Sequence, residues 1–208
     1  MIDVGDISER FKNHVAKFSD YGNIKVLDFG VPGCSNWRIR FLFEEDYYRL
    51  HISGDIGELI AYNCNNMTWE GFNDFVDNPE YFKEKVRTMS QDMYEYDERK
   101  AEEDLYKKLI DCEIEYDLSM YNSQREAIEE IIERVMTDFD DRYGIGTRGQ
   151  EILEDFDDTC WEYIKYVGRC ETDWIRIYLL AFKLAKSQLG EKNGWNNNAT
   201  GQRTYEIN

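Results

Sequence analysis

Apolar and polar positions alternate most cleanly over Asn36–Glu44 (NWRIRFLFE), where Trp37, Ile39, Phe41 and Phe43 fall on one face and Arg38 and Arg40 on the other. A period of two marks a half-buried strand. Ile24–Val31 (IKVLDFGV) alternates in the same way, and Pro32-Gly33 forms the turn between these two runs. Tyr48–Ser53 (YRLHIS) follows the charged turn Glu45-Asp46 as another strand, and Glu58–Tyr62 (ELIAY) is a candidate for one more. Strands that follow one another pair most simply as an antiparallel meander. Ahead of them, Phe11, Val15 and Phe18 have helical spacing and predict a short helix over Ile7–Phe18.

Beyond the strands the apolar period lengthens to that of a helix. Thr68 opens a stripe of Trp69, Phe72, Phe75 and Val76, and Pro79 opens Pro79–Met89 with Tyr81, Phe82 and Val86 facing inward. From Asp97 onward every element is expected to be helical. Glu98–Tyr116 aligns Ala101, Leu105, Leu109 and Cys112. Ser123 and Glu126 fit a capping box at the head of a stripe that runs Ala127/Ile128, Ile131/Ile132, Val135/Met136, Phe139 and Tyr143. Gln150–Val167 carries Ile152, Leu153, Phe156, Cys160, Ile164 and Val167, and Asp173–Leu189 is apolar nearly all round over its first half, as a central buried helix would be. The expected fold is α+β, a small antiparallel sheet of three or four strands in the N-terminal half packed against a C-terminal helical layer. The expected divisions are an α+β region over 1–96, an acidic helical region over 97–192 and a polar tail over 193–208.

Composition adds two things. The 42% hydrophobic and 15% aromatic content argues against disorder, and a formal net charge of −18 argues for strong anionic character. That charge is segregated: between Gln91 and Cys160, 23 Asp and Glu face 8 Lys and Arg, a net of −15. On the expected helix from Ser123, the side away from the stripe bears Glu126, Glu129, Glu130, Glu133, Asp138, Asp140 and Asp141, with Arg125, Arg134 and Arg142 diluting them. At about 1.5 Å of rise per residue that is roughly one charge per 3.4 Å, close to the phosphate spacing of a DNA strand. The next helix adds Glu151, Glu154, Asp155, Asp157, Asp158 and Glu162. A field of this sign repels nucleic acid and attracts basic protein surfaces. The plain alternative is a solvated face that keeps the protein in solution.

Other chemistry finds less support. Asp138-x-Asp140 begins like a calcium loop, but Arg142, Tyr143 and Gly149 stand where an oxygen ligand, the glycine and the bidentate glutamate are needed. Weak divalent binding by Glu154, Asp155, Asp157 and Asp158 is the residual metal reading, and no cofactor is expected. Gly54-Asp55-Ile56-Gly57 reads as a tight turn in which Asp55 bonds its own backbone, ahead of an anion cradle or a placed carboxylate. Gly144-Ile-Gly146-Thr-Arg148-Gly149 reads as a connection between helices. His14 and His51 are the only histidines and accompany no serine elbow or H-E-x-x-H, so an enzyme is not expected. Cys34, Cys64, Cys112, Cys160 and Cys170 are odd in number and lack a C-x-x-C pair, which suits buried reduced thiols. Trp37, Trp69, Trp161 and Trp174 lie on stripes expected in the core, whereas Trp195 sits among asparagines as a candidate exposed anchor. The N-terminus has no basic, apolar leader pattern, and no run is long enough to span a membrane.

The segment Leu50–Met89 resembles a group of small proteins encoded by bacteriophages and prophages. In them a strand ending in G-D-x-G precedes an aromatic-rich stretch and a helix with a Tyr-Phe or Tyr-Trp-x-x-Lys core. Gly54, Asp55, Gly57, Tyr81, Phe82 and Lys85 carry the likeness here, over about the first half of the chain. The resemblance implies a phage setting, where small acidic proteins disarm host defences, anti-CRISPR proteins among them, and it carries over no catalytic residue. The leading expectation is therefore an anti-CRISPR acting in the host cytoplasm, binding a Cas effector nuclease through its acidic surface without contacting nucleic acid or membrane. The alternative is a phage accessory protein or homo-oligomer with no inhibitory role, and a metal-dependent enzyme is the third reading.

Overall fold

The computed structural model describes residues 4–111 and 123–193. It is α+β, with a six-stranded antiparallel sheet in the N-terminal half and helices in the C-terminal half. The chain forms two compact units. One takes the residues up to Asp92 and again from Asp173, and the other is Met93–Thr172. The expected division after residue 96 thus falls near the first crossing, but the last helix returns to the sheet-bearing unit.

In the first unit α1 (Val4–Arg10) precedes β1 (Val15–Tyr21), β2 (Ile24–Gly30), β3 (Ile39–Glu44), β4 (Arg49–Gly54), β5 (Leu59–Tyr62), the short helices α2 (Asn73–Val76) and α3 (Pro79–Lys83), and β6 (Val86–Met89). The sheet order is β1-β2-β3-β4-β5-β6, a meander throughout. Register follows the alternation: Leu27 pairs with Phe41 and Phe41 with Ile52, and all three are fully or almost fully buried. Two expected helices were in part strands. The helix expected over Ile7–Phe18 stops at Arg10, because Tyr21-Gly22-Asn23-Ile24 closes a hairpin with Gly22 at φ +79° and draws Val15–Tyr21 into pairing with β2. The helix expected over Pro79–Met89 stops at Lys83, and Val86–Met89 becomes the edge strand beside β5.

The sheet buries its inner face under α7 (Trp174–Asn193), which supplies Ile177, Tyr178, Ala181, Phe182 and Ala185. Phe182 is the hub. Its ring meets Phe72 at 4.8 Å, Trp69 at 5.4 Å and Phe41 at 5.5 Å, all edge to face. Removing that ring is worth about 3–5 kcal/mol of stability. At the free edge of β1, the Gln188 side chain stands in for a further strand: its Oε1 accepts from the Ala16 N–H at 3.0 Å and its Nε2 donates to the His14 carbonyl at 2.9 Å. Polar cover of this kind keeps an edge from recruiting another chain.

The second unit is an insertion whose entering and leaving strands, β7 (Tyr94–Tyr96) and β10 (Arg169–Glu171), pair antiparallel. Between them run α4 (Glu98–Asp111), α5 (Gln124–Met136), the hairpin β8 (Phe139–Asp140) and β9 (Gly144–Ile145), and α6 (Thr147–Glu154). Its core joins Ala101, Leu105 and Leu109 to Ile128, Ile131, Val135 and Leu153, with Cys160 and Val167. Burial pushes the Asp104 carboxyl up, but the Lys100 ammonium at 2.7 Å and the Gly168 N–H at 3.1 Å together hold it below its ordinary range. The unit is not purely helical as expected: the β7–β10 pair, the β8–β9 hairpin and 3-10 turns share it with the helices. Cys112 and the stretch to Tyr116, like Trp195 and the tail beyond residue 193, lie outside the described residues.

Candidate functional site

The acidic surface begins on α5. Ser123 Oγ accepts from the Glu126 N–H at 3.2 Å, so the expected cap is in place. The stripe Ala127, Ile128, Ile131, Ile132 and Val135 is buried, which turns Glu126, Glu129, Glu130 and Glu133 outward, all exposed. Glu129 is bridged by Arg125 at 2.7 Å. Glu130 and Glu133 have no ion pair among the described residues.

The expected row of seven acids does not continue. The helix ends at Met136, and the carboxylates of Asp138 and Asp140 have other tasks. Asp138 Oδ2 accepts from the N–H groups of Arg148 at 2.9 Å and Gly149 at 3.3 Å, the first turn of α6. The residue at the head of that helix, Gly146, has no side chain to cap with, and a Cβ there would lie 2.4 Å from Asp138 Oδ2. A carboxylate from eight positions upstream therefore caps the helix. Asp140 Oδ1 accepts from the N–H groups of Arg142 and Tyr143 at 2.9 and 3.0 Å, which shapes the β8–β9 turn. Asp141 is exposed there, and its carbonyl accepts from the Tyr96 N–H at 2.8 Å. Phe139 and Tyr143 leave the helical stripe with them, and Tyr143 is 72% exposed.

The second acidic group divides likewise. The helix expected over Gln150–Val167 ends at Glu154 and gives way to 3-10 turns. Asp157 is structural: Oδ1 accepts from Thr159 N–H at 2.9 Å and Oγ1 at 2.6 Å, and Oδ2 accepts from the Tyr163 hydroxyl at 3.0 Å. Glu154 accepts from Gln150 Nε2 at 2.8 Å, while Glu151, Asp155, Asp158 and Glu162 stay exposed. Among the described residues no three His, Cys, Asp or Glu side chains are grouped to hold a metal ion. Burial first, then the charges of Glu154, Asp157 and Asp158, push the Cys160 thiol above its ordinary range, so it is a poor nucleophile.

Trp161 is the residue that periodicity misplaced. Expected in the core, it is 62% exposed in a 3-10 turn beside Glu162. The break at Asp157-Asp158 shifts the helical phase, and that pair of aspartates was the available signal. Trp69 is buried as expected, and Trp37 and Trp174 are half-buried. Among the cysteines Cys160 is buried and Cys170 partly so, but Cys34 and Cys64 are exposed, against expectation.

In the sheet-bearing unit, Asp55 of the Gly54–Gly57 turn bonds a different segment from the one expected. Its Oδ2 accepts from the Trp37 N–H at 3.0 Å, and its own N–H donates to the Arg38 carbonyl at 3.0 Å. The carboxylate thereby holds Trp37 at φ +59°, a conformation unusual for a bulky residue. Gly57, at φ +118°, lies so close to the Gln91 amide that a Cβ would overlap it at 1.9 Å, and Gln91 Nε2 donates to the Ile56 carbonyl at 2.5 Å. Asp55 therefore ties the segment before β3, and Gln91 the segment after β6, to the turn after β4. Tyr81 stacks on Phe75 at 5.2 Å with the Lys85 ammonium 4.2 Å from its ring. His14 is buried with Nε2 3.1 Å from the Trp37 carbonyl, and His51 lies on β4 with Nε2 3.0 Å from Glu44 Oε2. No helix among the described residues is long and apolar enough to cross a membrane. Compared with known proteins, the chain matches no family model, no curated protein and no solved structure.

Proposed function

We propose that the protein acts by binding, docking a basic protein surface with the exposed carboxylates of its Met93–Thr172 unit. The observation that carries this is segregation: that unit holds 24 Asp and Glu against 10 Lys and Arg, a net of −14, whereas the remaining residues sum to −4. Glu126, Glu129, Glu130 and Glu133 present one side of a capped helix that needs none of them for its packing. A partner with a cationic groove would be drawn in by long-range attraction, quickly and in a salt-dependent way. The phage-protein resemblance of Leu50–Met89 supplies the setting, a phage-encoded anti-defence protein in the host cytoplasm. An anti-CRISPR occupying the nucleic-acid channel of a Cas effector is the specific form of the reading.

The test is charge reversal. Lys at 126, 129, 130 and 133 should abolish capture of candidate effector nucleases and relief of target cleavage, with the melting temperature nearly unchanged. Glu126, the one of the four in the first turn of α5, is itself worth about 0.3–1 kcal/mol. Undiminished binding by the four-lysine variant would falsify the reading. The exposed Trp161 and Tyr143 favour a second reading, self-association, since aromatic residues are enriched at protein interfaces. Light scattering at low and high salt separates the two: an oligomer held by aromatics persists in salt, and a monomer removes the second reading.

A further inference from the structure

Between α4 and α5 lies an open groove of 870 Å³. Tyr106 from α4 and Ile132 and Met136 from α5 give it an apolar floor. Glutamates stand along both walls: Glu98, Glu102 and Glu103 on α4, Glu129 and Glu133 on α5. Only Lys107 and Arg125 oppose them in the lining. Pairing lowers that count unevenly. Glu129 is bridged by Arg125 at 2.7 Å and Glu103 by Arg99 at 3.4 Å, whereas Glu98, Glu102 and Glu133 have no ion pair among the described residues. Carboxylates without an ion pair thus stand on each side of an apolar trough.

We propose that this groove receives a cationic amphipathic helix of the partner, an inference that rests on the docking role given above to this unit. The argument from charge is direct: three free carboxylates around apolar side chains complement a segment that carries Lys or Arg beside an apolar stripe. Backbone chemistry then selects a helix. Both walls are helices, whose N–H and C=O groups are spent on their own turns. An extended segment laid between them would find no backbone partners for its own polar groups. A helix satisfies its backbone internally and offers apolar anchors at i, i+3, i+4 and i+7, the spacing that helix-in-groove recognition uses. Phosphate-bearing ligands are repelled by the same glutamates.

The experiment uses the full chain and two labelled peptides of identical Leu and Lys content. In one the leucines follow helical spacing, and in the other they alternate with period two. Fluorescence anisotropy should show the helical peptide binding about tenfold or more tightly than its isomer. Met136→Glu, on the half-buried floor, should lower that affinity by about tenfold, as loss of an interface anchor does. Should Met136→Glu fail to fold, Glu98→Lys with Glu102→Lys removes wall charge at two exposed positions and should weaken the same peptide. Equal affinity for both peptides overturns the groove and leaves the acidic docking surface standing. Binding of neither overturns both. Light scattering on the unmodified chain gives the remaining outcome: a dimer that Met136→Glu dissolves would place a second copy in the groove and overturn the assignment to a partner's cationic helix.

Discussion

Asp138 gives the sharpest separation between an acid that builds the protein and an acid that meets a partner. Its Oδ2 is the acceptor for two N–H groups at the start of α6, at 2.9 and 3.3 Å, while Gly146 at the head of the helix offers no side chain. Asp138→Ala removes that acceptor and leaves two helix-terminal donors to water. Loss of an N-terminal cap costs about 0.5–2 kcal/mol, and loss of a negative charge near the positive helix end adds about 0.3–1 kcal/mol. The second contact is long and the site half-exposed, so an effect of about 1–2 kcal/mol is expected. For a chain of 150–250 residues that corresponds to a fall in melting temperature of about 2–8 °C. Asp138→Asn keeps an acceptor of the same shape and loses only the charge, so it should cost about 0.3–1 kcal/mol. Both variants are measured by calorimetry beside the four-lysine variant of α5 and assayed for partner capture. The expected pattern is crossed: Asp138→Ala lowers stability and spares binding per folded molecule, whereas the α5 reversals do the opposite. An unchanged melting temperature for Asp138→Ala, or Asn as damaging as Ala, would refute the capping account. A binding loss in Asp138→Asn comparable to that of the reversals would return Asp138 to the docking surface.

Three further outcomes follow from single contacts. Gly144 sits at φ +77° with the Tyr96 ring 2.8 Å from where a Cβ would be, so Gly144→Ala should lower stability by more than about 1 kcal/mol, and a melting temperature equal to wild type would contradict this. Gln188→Ala deletes both side-chain bonds to the β1 edge, at about 0.5–1.5 kcal/mol each, and should raise light scattering on mild heating as the edge becomes free to pair. Tyr178 is buried with its hydroxyl 3.3 Å from the Ile56 carbonyl, and burial, aided by the Glu58 charge, pushes its pKa up from 10.0 to about 12. The folded state then keeps a proton that the unfolded chain releases, so stability is intact below pH 10 and falls as pH rises from about 10 to 12. Tyr178→Phe removes this term, and the wild type's stability relative to it should decline by about 2–3 kcal/mol across that window in urea titrations. A constant difference would show that folding does not raise the pKa of the hydroxyl.

The meander was legible because each of its central strands buries one face. Ile39, Phe41 and Phe43 have no exposed surface, so the alternation in NWRIRFLFE reports burial directly. The two strands taken for helices sit at the sheet edges, where burial constrains a single neighbour and the pattern thins. Val15–Tyr21 buries only Ala16 fully, and Val86–Met89 buries no residue fully. For β1 the evidence lay next door, since Gly22-Asn23 between two strand-like runs is a hairpin signal whatever the spacing of Phe11, Val15 and Phe18 suggests. The long apolar helix after Asp173 was legible as buried. Its return to the first unit was not, because nothing in α7 itself says which unit supplies Phe41 and Phe72 to meet Phe182.

The acidic surface was legible in amount and only half legible in arrangement. Periodicity extended one helix from Ser123 to Tyr143, and the acids were placed on its outer face as though all were equivalent. Aspartate and glutamate differ here for a physical reason. Asp has a short side chain that reaches backbone N–H groups nearby, so it favours caps and turns, whereas Glu is a good helix former that projects into water. The structure follows that division: Asp138, Asp140 and Asp157 are spent on N–H groups, and Glu126, Glu129, Glu130 and Glu133 stand outward on α5. A run in which Asp replaces Glu after a helical stripe is therefore better read as the end of the helix than as more of its charged face. The same reasoning concentrates the docking surface on the glutamates of α4 and α5, where Glu98, Glu102 and Glu133 are left without ion-pair partners among the described residues. Reversing those three should weaken partner capture at least as much as reversing Asp140, Asp141 and Asp158, measured side by side at one salt concentration. The opposite order would mean that total charge, and not its placement on the helices, governs binding.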